Sequence, residues 1–422
     1  MKTLTIDTDR LLRDLDTLAT FTEPGTTGWT RRAFSPAFIA ARAWLAKRMQ
    51  DAGLSVSVDA AGNLIGRRPG LVDMPSLMIG SHTDTVPGAG RFDGMLGVLA
   101  GIAVARALDQ AGVQLHYPLE IVDFLAEEPT PFGLSCIGSM GMAGVLDERE
   151  LARQDSSGRT LAEALQAVGG RPDDLGSAIR KRGDIAAYLE LHIEQGRVLE
   201  EQGAPLGVVQ GIVGIRRAML QFAGRPDHAG TTPMGLRHDA LAAAAEVILA
   251  AERMAYAAGA AVATVGRLAI SPNQENVVPG SVEMSLEVRS LNWGTVERVW
   301  AGIESEARTA CSSRGVELIA GDLHDVAPMH TPDWLLEIIA RACGEVATDP
   351  PLLPSGAGHD ASWIGRIAPA GMIFVRSKDG RSHCPEEYSA PEDIALGANA
   401  LGAALLALDH YLDLTLDLYL DR

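Results

Sequence analysis

Residues 77–111 read LMIGSHTDTVPGAGRFDGMLGVLAGIAVARALDQA. The apolar run at 77–80 has the length of a buried strand, a turn rich in Gly and Pro follows, and 95–111 repeats its apolar residues at helical period. A buried strand feeding a helix is the unit of an α/β layer fold. The same alternation extends to both sides. A helix over 42–52 and strands over 54–58 and 63–66 precede it, and strands over 119–125 and 187–191 follow. After residue 330 the pattern resumes with a helix over 334–347, a strand over 372–375 and a closing helix over 393–412.

Between these stretches the order of elements changes. Strand 212–222, helix 239–258, strands 263–270 and 282–288, helix 295–314 and strand 316–320 follow one another. This β-α-β-β-α-β order is the split βαβ arrangement of a ferredoxin-like sandwich. The expected architecture is therefore α/β, with a discontinuous catalytic domain (1–211 and 329–422) built on a central mixed sheet with flanking helices. A ferredoxin-like α+β module (212–328) is inserted into it.

Composition limits the function classes. With 422 residues, 47% hydrophobic and 21% charged, the chain has ordinary globular composition and room for two or three domains. A formal net charge of −18 argues against nonspecific attraction to nucleic acid or anionic lipid, so an anionic substrate must be met by locally placed arginines. Cys136, Cys311, Cys343 and Cys384 form no C-x-x-C pair, which fits a reducing cytoplasm. Charges at Lys2, Asp7, Asp9 and Arg10 interrupt any export signal. Glu246, Glu252 and Arg253 break the Ala-rich run 241–263, which reads as a soluble helix rather than a membrane span.

The chemistry sits where apolar strands end. His82 follows the strand 77–80, and in open α/β sheets ligands gather beyond the carboxyl ends of strands. Asp84 can take the proton of the other imidazole nitrogen and fix the tautomer. Asp93, after a Pro-Gly-Ala-Gly turn, can swing back toward His82. Glu127 and Glu128 follow the strand 119–125; adjacent carboxylates repel unless a cation compensates, which suits one metal ligand beside one general base. His192 ends a third strand, and His383 lies in a loop after a fourth. Singly, each has a plain structural reading: a hydrogen-bonded strand-end histidine, an N-cap aspartate, a solvated Glu-Glu turn. Together, five nitrogen and oxygen donors without thiolate suit Zn²⁺ first, with Mn²⁺, Co²⁺ or Ni²⁺ as alternatives. The donor count exceeds the need of one catalytic zinc, and a shared Asp93 would let two ions sit close together.

Other chemistries leave weaker traces. There is no H-E-x-x-H, no G-x-S-x-G and no phosphate-binding loop, and the glycines at 88–94 do not match a dinucleotide fingerprint. Ser355, His359 and Asp360 are too close in sequence to be favoured as a serine triad. Cys384 has only His383 nearby to activate it as a nucleophile.

Gly-Ser-His-Thr-Asp-Thr (80–85), Glu-Glu (127–128), Glu-Leu-His-Ile-Glu-Gln-Gly (190–196) and Asp-His-Ala-Gly-Thr-Thr-Pro-Met (227–234) resemble one family, as do Asn-Val-Val-Pro-Gly (276–280), Ser-Gly-Ala-Gly-His-Asp-Ala (355–361) and the late Ser-His (382–383). It is the bimetal amidohydrolases of the aminoacylase and carboxypeptidase superfamily, in their carbamoylase branch. That branch holds N-carbamoyl-L-amino-acid hydrolases, β-ureidopropionases and allantoate amidohydrolases. The resemblance implies that His82, Asp93 and His192 hold one divalent metal and that Asp93 bridges to a second held by Glu128 and His383. It implies Glu127 as general base, with Asp84 behind His82. His228 would reach the active site of the neighbouring subunit of a homodimer, and Asn276 and Arg289 would clamp the carboxylate of a small-molecule substrate. Gln195 would sit near the ureido group, with Gly358 and His359 lining the same pocket. If Arg289 and His228 lie on the inserted module, hinge closure completes the site.

Three positions depart from the family pattern: Pro129 for a frequent glycine, Cys384 for a frequent asparagine, and Arg376 for a common proline. None removes a ligand. The expected activity is cleavage of the carbamoyl C–N bond of an N-carbamoyl-L-amino acid, then of allantoate or β-ureidopropionate, then of an N-acyl amino acid or dipeptide. A noncatalytic binding protein of this fold would instead have lost a ligand or the base.

Overall fold

Four parallel strands lie side by side in the order Leu119–Phe124, Ser76–His82, Ile185–Ile193, Ala370–Val375. Antiparallel strands extend the sheet on both sides. Leu64–Arg68 and then Ser55–Val58 flank Leu119–Phe124, and Leu206–Ile212 flanks Ala370–Val375. Every residue of Ser76–His82, Leu119–Phe124 and Ala370–Val375 is buried, as in parallel strands covered by helices on both faces. The computed structural model describes residues 4–420, with side chains through 414. It separates into two compact units, one of residues up to Gly211 with those from His330 onward, the other Ile212–Met329.

In the first unit the main core lies under helices Thr8–Ala19, Met95–Gln110, Asp333–Gly344 and Pro391–Leu420. Residues 95–108 are all buried, which is why that segment is apolar all round rather than amphipathic. Leu125, Ile137, Leu161 and Leu165 form a second cluster. The helix Thr8–Ala19 went unread in the sequence. Asp7 caps it by accepting the Arg10 N–H, and Leu11, Leu15 and Leu18 turn one face into the core. The closing helix carries an apolar stretch, Pro391–Leu414, long enough to cross a bilayer; half of its most apolar window is buried in the unit, the character of a core helix.

The second unit has an antiparallel sheet ordered Leu268–Ser271, Ser281–Ser290, Gly214–Ala223, Glu317–Ala320. Helices Ala240–Ala258 and Trp293–Arg314 share its core with Val282, Met284, Leu286 and Val288. This is the ferredoxin-like order. The strand expected over 263–270 is two pieces, Val262–Thr264 and Leu268–Ser271, both paired with Ser281–Ser290. The ladder breaks around Gly266, a residue that weakens strand interiors, and Arg267 N–H donates to the Ser285 hydroxyl there. A short ladder joining Asp227–His228 to Val277–Val278 is too brief to leave a period-2 signal.

Candidate metal centre

Neighbouring strands lie about 4.8 Å apart, so four adjacent parallel strands deliver their carboxyl ends to one edge of the sheet. His82 ends the first of these in chain order, Glu127 and Glu128 follow Leu119–Phe124, and His192 is the penultimate residue of Ile185–Ile193. Ala370–Val375 leads into the loop carrying His383, and Asp93 sits just before helix Met95–Gln110. Gly94 is the N-cap of that helix and no side chain caps it, so the Asp93 carboxylate is not spent as a cap.

Asp93 is the centre of the arrangement. Its Oδ1 lies 3.1 Å from His192 Nε2 and 3.8 Å from His82 Nε2. Its Oδ2 lies 3.0 Å from His383 Nε2, which is itself 3.4 Å from Glu128 Oε1. Ligand atoms of His82, Asp93 and His192 all fall within 4.8 Å of one another, as do those of Asp93, Glu128 and His383. Each carboxylate oxygen thus faces its own set of donors. The two glutamates diverge: Glu127 Oε2 is 3.7 Å from His82 Nε2, while Glu128 turns to His383.

The donor chemistry fits divalent cations. His82 Nδ1 lies 3.1 Å from the Asp84 backbone carbonyl and His192 Nδ1 2.9 Å from the Ile193 carbonyl. Those carbonyls fix the proton on Nδ1 and leave each Nε2 lone pair toward Asp93. His192 Nε2 is buried without a hydrogen-bond partner. Burial, with the charges of Glu128 and Asp360, pushes the Glu127 carboxyl well above its ordinary range. Burial and then the Asp93 charge push Glu128 up to about 8. Burial opposes charge on His192, yet the Asp93 carboxylate 3.1 Å away outweighs it and raises the imidazole to about 9. Buried carboxylates that repel one another in this way require compensating positive charge.

Asp84 departs from expectation. Its carboxylate is 3.6 Å from His82 Nδ1 and instead accepts the backbone N–H groups of Glu127 and Glu128 at 3.2 and 3.1 Å. The strand-end turn reverses there, with Ala126 at φ +54°, and it brings those amides closer to Asp84 than the imidazole. Asp84 therefore anchors the loop that carries both glutamates.

Gln195 donates from Nε2 to Asp93 Oδ2 at 2.9 Å. Sequence reasoning missed Glu387, which is buried and accepts the N–H groups of Phe92 and Asp93 at 2.9 and 3.2 Å and the Ser382 hydroxyl at 2.8 Å. Glu387 ties the turn of Asp93 to the loop of His383 across nearly 300 residues, and the only sequence signal is its place four residues after His383. Cys136, also unforeseen in this role, puts Sγ 3.6 Å from Glu127 Oε1. Of the three departures, Arg376 bonds Asp393 at the start of the last helix at 2.9 Å, Pro129 is exposed and Cys384 is partly buried.

Gly94 sets the reach of His82. It has φ +73°, and a Cβ there would fall 2.4 Å from the His82 ring. Gly94→Ala is expected to displace that imidazole and, if His82 is a metal donor, to lower bound metal by about one equivalent relative to wild type. Elemental analysis after dialysis reads this out, and metal content equal to that of wild type would sink the expectation.

Ser355 Oγ lies 2.9 Å from His359 Nε2, so two members of the disfavoured triad do meet. Asp360 does not join them; it accepts from Ser139 Oγ. The His359 ring stands 4.4 Å from that of His192, and Gly358 is exposed with open space around it. His228, Asn276 and Arg289 belong to the second unit. Ala229 N–H donates to the Asn276 carbonyl, and His228 pairs with Val277, which keeps Asn276, in the turn just before that strand, beside His228. His228 is exposed and its Nδ1 accepts the N–H groups of Gly230 and Thr231. Its proton therefore sits on Nε2, leaving that nitrogen a hydrogen-bond donor.

Comparison with known proteins gives a consistent picture. The profile of Peptidase family M20/M25/M40 matches residues 78–407. An N-carbamoyl-L-amino acid amidohydrolase of Geobacillus stearothermophilus is 44% identical over 397 residues, covering 94% of this chain and 97% of its own. A ureidoglycolate hydrolase of Arabidopsis thaliana is 35% identical, covering 96% and 87%. The crystal structure of a hydantoinase/carbamoylase family amidase from Burkholderia ambifaria is similar at a TM-score of 0.88 and 36% identity, covering 96% and 98%.

Proposed function

The chain belongs to peptidase family M20/M25/M40, and on that premise we propose that it is a binuclear metal-dependent amidohydrolase of N-carbamoyl-L-amino acids. As a member of that family it is a hydrolase. The observation that carries the reading is Asp93, whose two carboxylate oxygens each face a separate set of donors. His82, Asp93 and His192 would hold one ion and Asp93, Glu128 and His383 the other. Bound there, the ions would supply Lewis acidity that polarises the substrate carbonyl and lowers the pKa of a water. Zn²⁺ is the first choice for this donor set, with Mn²⁺, Co²⁺ or Ni²⁺ as alternatives.

Glu127 takes the proton of the attacking water and passes it to the departing nitrogen. Gln195 orients the ureido group beside Asp93. His228, with its proton on Nε2, donates to the oxygen that gains charge, and it does so from the neighbouring subunit of a homodimer. Arg289 and Asn276 hold the substrate carboxylate, the arginine through paired hydrogen bonds. Water is consumed, and ammonia, carbon dioxide and the amino acid leave. The scattered free cysteines support work in a reducing cytoplasm.

Identity of 44% to a carbamoyl-amino-acid enzyme favours that substrate class. A ureido acid such as allantoate or β-ureidopropionate is the second reading, supported by the ureidoglycolate hydrolase relative. The test is ammonia release from N-carbamoyl-L-amino acids, β-ureidopropionate and allantoate, using protein stripped with chelator and reloaded with each metal. Metal-dependent release from the first class is expected. Silence across the panel with metal bound would overturn the carbamoyl reading and direct attention to N-acyl amino acids.

A further inference from the structure

Arg289 and Glu287 lie two residues apart on Ser281–Ser290 and so share one face of the strand. The alternate residues Val282, Met284, Leu286 and Val288 are buried in the core, which fixes the direction of that face. Arg217 stands directly across the ladder from Glu287. The Glu287 carboxylate joins the two arginines: Oε1 accepts from Arg289 Nε at 2.5 Å and Oε2 from Arg217 Nε at 2.7 Å. Arg217 Nη2 bonds the same Oε2. Burial opposes charge on Glu287, but its bonds to Arg289 and Arg217 outweigh burial and hold it below the usual carboxylate range.

From this juxtaposition we infer that Glu287 is a positioning residue for the substrate carboxylate, holding the Nε edge of the Arg289 guanidinium while Arg217 keeps the cluster net positive. The inference rests on the reading of Arg289 as the carboxylate clamp. An arginine at a strand end normally samples many rotamers, and a clamp that must be ordered at each encounter binds more weakly than one already oriented. Glu287 alone would cancel the charge of Arg289 and repel an incoming carboxylate. With Arg217 across the ladder, two guanidiniums share one carboxylate, so these three side chains together keep one positive charge.

The test is a double-mutant cycle on the metal-loaded enzyme with N-carbamoyl-L-alanine. Glu287→Ala is expected to raise KM about tenfold with kcat within about twofold of wild type. In an Arg289→Ala background the same change is expected to do nothing further, because Glu287 acts through that guanidinium. A KM within about twofold of wild type overturns the inference. So does an equal loss in both backgrounds, the mark of a merely structural role. Should Glu287→Ala fail to fold, Glu287→Gln keeps the volume and is judged by the same criteria. If Arg289→Ala alone leaves kcat/KM unchanged, the clamp reading itself fails and the inference falls with it. That result is distinguishable from an impaired Arg289→Ala beside an unaffected Glu287→Ala.

Discussion

Glu127→Gln is expected to yield a folded protein that still binds two equivalents of metal and turns over about 10³-fold more slowly. The amide has the size of the carboxylate but cannot take a proton from water. Glu127 is not among the residues grouped around Asp93 as potential metal donors, so metal content should survive the change. Its carboxylate nonetheless reaches within 3.7 Å of His82 Nε2, beside the donors proposed to hold metal. Its backbone is held independently, with N–H on Asp84 and carbonyl accepting from Cys136 N–H, so the loop should keep its shape. The measurement is kcat at saturating substrate beside metal content from elemental analysis. Turnover within tenfold of wild type would remove Glu127 from the mechanism; loss of metal would make it a ligand.

Asp93→Ala is expected to have the second large effect, on both ions at once. Asp93 is the residue common to the two donor sets, and without it each set keeps only two of its donors. Metal content should fall below one equivalent, and activity should fall with it. Thermal stability supplies a readout independent of turnover. A ligand that binds only the folded state stabilises by about 4 kcal/mol per site when its free concentration is a thousand times Kd. Wild-type protein stripped of metal should therefore melt at higher temperature on reloading with Zn²⁺, while the variant should show little rise. A variant that still binds two equivalents and melts like the reloaded wild type would end the proposal that Asp93 bridges.

Much of this arrangement is legible in the sequence because each candidate metal donor sits next to a local signal. His82, Glu127, Glu128 and His192 directly follow or end apolar runs, and strand ends are where open α/β sheets gather ligands. The inserted module is legible for the same reason: two strong helix periods separated by paired strands leave few alternatives. What stayed hidden lacked any local period. The helix Thr8–Ala19 is amphipathic, but its charged first turn, with Asp9 and Arg10, masks the apolar face that only packing reveals. Glu387 bonds backbone amides about 295 residues away, and no window of sequence joins the two. Sequence proximity points Asp84 at His82, whereas a left-handed turn at Ala126 brings two backbone amides closer to its carboxylate.

Hydrophobic period and turn chemistry act over a few residues, so the sequence marks most of the long helices and buried strands and the side chains at their ends. That Leu119–Phe124, Ser76–His82, Ile185–Ile193 and Ala370–Val375 are neighbours in that order comes from the packing of the whole sheet. From that order follow the division of Asp93 between two donor sets, the diversion of Asp84 to the glutamate loop and the latch of Glu387. The sharing of Glu287 by Arg217 and Arg289 follows likewise from strand register in the second unit. Each depends on hydrogen bonds and charges that act within about 4 Å, and which atoms come that close is set by the packing of the whole chain.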